Sequence, residues 1–499
     1  MKKLLNILIH NQSKVRIGVL IVFVVITWTS LTTEFLTSIA GDKYFVAHED
    51  EVIYYGSAQV FAETGSLQAE SCINEDVSLI GKFNWYGPGY NVVYGSLQQI
   101  VGQSNALFIK FHFVLGLLTL VTILLLNLPL ESKLVVVSIL LTTEQLTCYI
   151  FSYFPETLHL FFSTTLVLVL LPLYGKQNPD QTSNPWLILF IFLVVIFSLC
   201  RVTTIFWLAA LLPLGSSWRT RVPYIFIFIF GITASLLYLK FFIAPPFAVE
   251  MHKLQNLYSF SLVSFIDETW KAIKGNLTEI FKVNSVPIYL LLLLIGSTLY
   301  NYWKTKDKFQ LAALFVSLCL VGVLMAYYSV SPFYFVKQTA MLLPLLLIAF
   351  VRGPHLAAKW ILFGIFIYFW VPVNKKRTKV IEEHQQAYAH FKTNEPLHQA
   401  FQKIKAVVEP TKDLVILWCY NEYDYGGAAQ ALLPYSTSGG HSIMYTTNIV
   451  FDHANTALKE KFKLHQKLSV DYVLSRQPLD WQSSQLLLQT PYFFFYKKH

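Results

Sequence analysis

The stretch HEDEVIYYGSAQVF, residues 48–61, sets four ionisable side chains in a row within a chain that has only 13% charged residues. Three of the four, Glu49, Asp50 and Glu51, are carboxylates, and crowding like charges raises at least one pKa, which suits a proton acceptor. His48 beside them also invites a metal, and a divalent cation is left open, yet no second ligand cluster of recognisable spacing occurs in the sequence. Other residues have types that complement such acids. Glu156, in YIFSYFPETLHLFF (149–162), stands where a helix should begin, while Arg201, in FSLCRVTTIFW, and Lys337, in SPFYFVKQTAMLLP, are cations within or beside apolar runs. A charge at bilayer depth costs about 2.5–3.5 kcal/mol or more, so each cation needs a reason, and gripping an anion is one. Plainer readings stand beside these. Asp50 can cap a helix whose positive end favours Glu49 and Glu51, Pro155 with Glu156 is helix-start chemistry, and Arg201 can snorkel to an interface. By spacing alone, capping is the simpler reading at both acidic positions.

The elements that must position these residues are set by composition. A chain of 499 residues could form two or three soluble domains, but 55% hydrophobic and 16% aromatic residues point to the bilayer as solvent. Apolar runs of membrane-crossing length recur near 15–36, 106–127, 133–151, 157–174, 186–200, 203–215, 222–243, 286–303, 309–328, 338–351 and 360–373, giving about eleven transmembrane helices. The stretch 186–215 reads either as two short helices or as one bent hairpin around Arg201. With the N-terminus inside, Lys133, Lys176, Arg219, Arg221, the KTKDK of 304–308, Arg352 and Lys359 all fall on the cytoplasmic side. The first outer loop, 37–105, instead holds eight acids against two bases, so the net charge of +9 reflects topology and not nucleic-acid binding. The first run reads as a retained anchor, since no small-residue cleavage site follows it. Five cysteines make no disulfide framework; Cys72 and Cys419 are the two expected outside. Glu144, inside the third span, is expected to pair with Lys110 or His112.

Residues 1–373 therefore form the membrane domain and 374–499 a small extracytoplasmic α/β domain. In that tail a helical stretch ends at Pro410, strands are expected at 413–420, 470–476 and 492–498, and a helix at 454–467. The opening stretch predicts a helix from Glu51 to Thr64, with Asp50 at its N-terminus, Gly65 ending it as a C′ glycine, and Val52, Tyr55, Gln59 and Ala62 on one face that can lie at the interface. An aromatic cluster, FNWYGPGYNVVYG (83–95), follows around a Gly-Pro-Gly turn.

One span, an outer acidic and aromatic helix, a glycine stop, a Pro-Gly aromatic turn and a second span: this order resembles the polytopic C-superfamily (GT-C) glycosyltransferases, in particular protein-mannosyltransferase-like and aminoarabinose-transferase-like members. DEVIYYGSAQVFAETGS (50–66) matches the family's first outer loop; WYGPGY (85–90) matches its aromatic-Pro-Pro segment with one proline replaced by glycine and no lysine before Pro88. Glu156 occupies the acid position of the next outer connection, and Lys337 resembles the basic residue that meets lipid phosphate. The resemblance implies a GT-C-like fold and an inverting transfer of a sugar from a polyprenyl-phosphate carrier to a hydroxyl of a lipid, glycan or protein, at the outer face of a cell inner (plasma) membrane. It implies Asp50 as catalytic base, with Glu51, Tyr54, Tyr86, Glu156, Arg201 and Lys337 binding substrates, and no assigned metal. A transporter or lipid flippase is the alternative, though no repeated halves are evident. A membrane scaffold is a third reading, and it predicts that the acidic helix tolerates neutral substitution.

Overall fold

The computed structural model describes residues 2–47, 49–65, 67, 83, 87–175, 184–243, 261–282, 286–327, 337, 339–354, 356–393, 396, 399–400, 403–407, 413–419, 441–447, 472–475, 478 and 484–498. Every one of the eleven apolar runs is helical, but they are unequal in length. Among the described residues six stretches are long and apolar enough to cross a membrane: Gln12–Ser38, Leu107–Leu125, Glu156–Leu173, Trp218–Phe242, Lys308–Ala326 and Ala357–Ala389. A seventh is broken, with Leu130–Leu140 and Glu144–Phe151 meeting at 66°. The chain is a multi-pass membrane protein.

Helix α1 is Lys2–Ser38. After it come α2 (Glu49–Thr64), α3 (Pro88–Val101), α4 (Leu107–Leu125), α5 (Leu130–Leu140), α6 (Glu144–Thr147), α7 (Glu156–Leu173) and α8 (Pro185–Ser198). A 3₁₀ segment, Val202–Leu211, then leads to α9 (Trp218–Phe242), α10 (Leu262–Lys282), α11 (Val286–Thr305), α12 (Lys308–Tyr327), α13 (Leu343–Val351) and α14 (Leu356–Thr393). The stretch around Arg201 resolves into two short elements. Arg201 itself is extended, φ −155° and ψ 108°, so the helix stops on one side of it and restarts on the other.

The basic loops gather at one end of the bundle. Arg16 Nε donates to Glu131 at 2.8 Å, Trp360 Nε1 joins the same carboxylate at 3.1 Å, Lys359 reaches Ser132, and Arg352 pairs with Asp307 at 2.9 Å. Glu34, 18 residues farther along α1 and hence about 27 Å away, pairs with Arg377 at the opposite end. Helix α14 runs the whole distance, from Trp360 to beyond Arg377, so residue 373, where the hydropathy divides membrane part from tail, lies inside it. The polar run after 373 is the extension of the last span, held to the bundle by charged pairs.

Helix α2 packs on α3, and Gly95 permits the contact: a Cβ there would lie 2.5 Å from the Phe61 ring and 2.7 Å from the Ala58 carbonyl oxygen. Gly65, at φ +72°, ends α2 as a C′ residue, its N–H bonded to the Phe61 carbonyl at 2.8 Å. The buried face differs from the expected one. Glu51, Tyr54, Ser57 and Ala58 are fully or almost fully covered; of the expected stripe Gln59 is buried with them, whereas Tyr55 and Ala62 are half-buried. A carboxylate can occupy the covered face because polar partners meet it there. Asp42 fixes the way into α4: its carboxylate accepts from Ser104 Oγ (2.8 Å), Asn105 N (3.0 Å) and Ala106 N (2.8 Å).

The tail carries a five-stranded sheet ordered β2-β1-β3-β5-β4, with β1 Asp413–Cys419, β2 His441–Thr447, β3 Tyr472–Ser475, β4 Ser484–Gln489 and β5 Phe494–Lys498. β1 runs parallel to β2 and β3, whereas β5 is antiparallel to β3 and β4. This is the expected α/β tail, with β2 and β4 added to the three strands that hydropathy alone picked out. The helix expected at 454–467 and the loop 421–427 lie outside the described residues, as does Cys72.

Candidate active site

The site is assembled at the end of the bundle opposite the basic loops. Glu51 is fully buried, and its oxygens accept from Ala47 N (3.0 Å), Tyr153 N (2.9 Å) and His384 Nε2 (2.9 and 3.0 Å). His384, also fully buried, places its Nδ1 2.7 Å from the Val380 carbonyl, one turn back on α14. Because a carbonyl only accepts, Nδ1 carries a proton. The ring lies against both Tyr44 and Tyr153, at centroid distances of 4.9 and 5.9 Å, with the two tyrosine rings 6.3 Å from each other, and the two phenols donate to the Phe151 and Asn105 carbonyls. Residues from the first outer loop, from the connection before α7 and from α14 thus close around one carboxylate.

Beside it runs a ladder of aromatic groups. Tyr54 lies 4.6 Å from Tyr90, and Tyr90 stacks on Tyr94 at 4.1 Å. The Tyr94 hydroxyl donates to His112 Nε2 at 2.6 Å, while His112 Nδ1 donates to the Ser152 carbonyl at 2.9 Å. Burial, then Tyr94, Glu51 and Glu156, hold the Tyr90 phenol well above its ordinary pKa, so it stays a neutral donor. The Lys337 ammonium, 2% exposed, stands 4.0 Å over the Phe154 ring and 6.0 Å from the Tyr54 ring. Such cation–π contacts help to hold a buried charge.

Glu156 opens α7 and is fully buried; Arg201 Nη1 faces it at 3.8 Å, longer than a hydrogen bond. The Gly-Pro-Gly turn explains how Arg201 comes here. Gly89 N–H donates to the Leu199 carbonyl at 3.1 Å, and a Cβ on Gly89 would lie 2.6 Å from Cys200 Sγ and 2.8 Å from Cys200 N. Gly87, at φ +81°, would clash with the Leu199 carbonyl in the same way. The turn seats directly on the segment before Arg201, and only glycine allows so close an approach.

The structure therefore brings together Glu51, Tyr54, Glu156, Arg201 and Lys337. The side chain of Asp50, on the backbone of α2, and Tyr86 and His48 lie outside the described residues. Glu144 pairs with Lys376 at 2.5 Å instead of with Lys110 or His112, because α14 continues past the membrane and carries Lys376 to it; Lys110 reaches Ser104. Sequence reasoning missed His384, Tyr153, Tyr44 and His159. For His384 the signal was an uninterrupted helical pattern from 356 onward; for His159 it was the three-residue step from Glu156. Among the described residues no group of three His, Cys, Asp or Glu is set to hold a metal ion. A cavity of about 420 Å³ opens nearby, bordered by the break at Thr142 and Thr143, by Glu144 and Lys376, by Thr339 and by apolar groups such as Phe366.

No protein-family model matches the sequence, and no curated protein matches it. The fold is nonetheless similar to solved ones. ArnT from Cupriavidus metallidurans in the apo state superposes with TM-score 0.50 at 9% identity, covering 95% of this chain and 97% of that one. The same protein bound to undecaprenyl phosphate gives 0.52 at 11% identity over the same shares. The Archaeoglobus fulgidus oligosaccharyltransferase, tethered to an acceptor peptide, gives 0.47 at 10% identity, covering 90% of this chain and 69% of that one. At such identities the likeness to ArnT is one of fold, and it agrees with the GT-C-like architecture implied by residues 50–66.

Proposed function

We propose that this chain is an integral-membrane glycosyltransferase that moves a sugar, with inversion, from a polyprenyl-phosphate carrier to a hydroxyl acceptor. The observation that carries the reading is the convergence of Glu156, Arg201 and Lys337, from three separate segments, beside Tyr54 of the acidic helix at one end of the bundle. ArnT, whose fold the chain shares, has been crystallised with undecaprenyl phosphate, which makes a lipid phosphate the natural anion for two buried cations.

In this scheme the acceptor hydroxyl attacks the anomeric carbon from the face opposite the phosphate. Asp50 takes the hydroxyl proton as the new C–O bond forms, and the bond from the anomeric carbon to the phosphate oxygen breaks. The electron pair leaves with the lipid phosphate, whose growing charge Arg201 and Lys337 stabilise. Glu156 orients Arg201. Tyr54 and Tyr86 line the substrate pocket, and Glu51 has its oxygens engaged by the protein, so its part is to fix α2 and thereby the direction of Asp50. The cavity beside Thr339 suits the carrier's hydrocarbon chain. The end that gathers the basic loops fits the cytoplasm, which supports a reaction at the outer face of the cell (plasma) membrane.

The test is transfer by the purified protein in liposomes, from a panel of labelled polyprenyl-phosphate sugars to lipid, glycan and peptide acceptors, with and without a chelator to decide on a divalent cation. Asp50→Asn is expected to lower transfer by about 10²–10⁴-fold with unchanged expression and insertion. Retained transfer removes Asp50 as base; movement of carrier lipid between leaflets with no transfer for any donor favours a flippase.

A further inference from the structure

We propose that His159 is a third ligand of the same anion, an imidazole N–H that hydrogen-bonds a phosphate oxygen held by Arg201 and Lys337. The inference rests on the lipid-phosphate reading above and adds to it a residue that none of the motifs pointed to.

His159 lies one turn beyond Glu156 on α7 and is 2% exposed. Among the described residues its Nδ1 has no hydrogen-bond partner, and the ring meets Phe162 edge-on at 6.3 Å. Neighbouring contacts fix its surroundings. Ser163 Oγ, one turn farther on, donates to the Met341 carbonyl at 2.6 Å, which brings the segment after Lys337 along this face of α7. Thr204 Oγ1 meets Met341 Sδ at 3.8 Å, which brings in the segment after Arg201. Arg201 faces Glu156, one turn earlier on α7, at 3.8 Å, and Lys337 stands 4.0 Å from the Phe154 ring just before that turn.

A buried polar nitrogen left unmet is rare and calls for an explanation; with the proton on Nδ1, an anion drawn in by the two nearby cations supplies the acceptor. Imidazole always has at least one N–H, so it can donate whatever its protonation state. A neutral donor is also a fitting third ligand. It adds direction without a third positive charge, which would set the cations against one another and hold the departing phosphate too firmly.

The experiment uses the full-length protein in detergent, titrated with geranyl phosphate and separately with geraniol, which has the same chain and no phosphate. The wild type is expected to prefer geranyl phosphate. His159→Phe, which fills the space but cannot donate, is expected to lose affinity for geranyl phosphate about 10-fold, with geraniol binding unchanged. His159→Gln, with a donating amide, is expected to recover most of the loss, a rescue that a packing role does not predict. Should the Phe variant fail to fold, ¹⁵N-histidine NMR of the wild type gives the second readout: a ring-nitrogen resonance absent from His159→Gln shifts with geranyl phosphate and not with geraniol. Unchanged affinity in His159→Phe, or an unmoved resonance, overturns the proposal while a weakened Arg201→Gln leaves the functional reading intact. Equal wild-type binding of the two probes overturns both.

Discussion

Among the described residues two buried Glu and His combinations are built on opposite plans. Glu51 and His384 come from helices 333 residues apart and are closed on each other, every polar contact supplied by the protein. Glu156 and His159 come from one helix; the carboxylate faces an arginine at 3.8 Å and the imidazole leaves a nitrogen unmet among the described residues. A carboxylate tied by backbone amides and an imidazole is a fastener; one set near a cation beside an unmet donor is a receptor. Asp42, also in the first outer loop, is built on the first plan, its carboxylate saturated by Ser104, Asn105 and Ala106.

The largest effect that would break this contrast is at Glu51. Glu51→Ala strands His384 and two amides in a dry interior, and it is expected to destabilise the fold by about 3–5 kcal/mol, read as a fall in melting temperature in detergent; a fall of only a degree or two would make the closed pair dispensable. Arg201→Gln should do the reverse. Its melting temperature stays near that of the wild type while transfer drops about 10²-fold, or about 2.7 kcal/mol of transition-state stabilisation, in the liposome assay. Asp42→Ala sharpens the idea of saturated acids as fasteners, with an expected loss of about 1.5–3 kcal/mol seen in melting and no change in the KM for donor. Lys376→Ala, at the half-exposed pair with Glu144, should shift stability by less than about 1 kcal/mol, which a melting curve will barely register.

How much of this was legible in the chain depended on the range of the interaction. Local signals carried well: Gly65 as a helix stop, the apolar runs as helices, and the common end for Arg16, Lys133 and Lys359 all follow from nearest neighbours along the sequence. The glycines of GPG were visible as a turn, but their reason, contact with Leu199 and Cys200 more than 100 residues away, was not. The strands β2 and β4 were passed over because HSIMYTT and SQLLLQ are short and flanked by residues that read as loop. His384 was hidden by polarity. Once the hydropathy falls after Val373 the helical stretch that begins NKKRTKVIEEHQQ reads as part of the tail, whereas it continues the last span as one helix to Thr393.

That uninterrupted helix has a mechanical meaning. At 38 residues α14 is a rod of about 57 Å, nearly twice the ~30 Å hydrocarbon thickness, and it is pinned near its start at Glu131 and again at Glu34, Glu144 and Glu51. A helix fastened toward both ends in this way acts as a gauge, so the separation between the basic end and the end that holds Glu51 is set by helix rise.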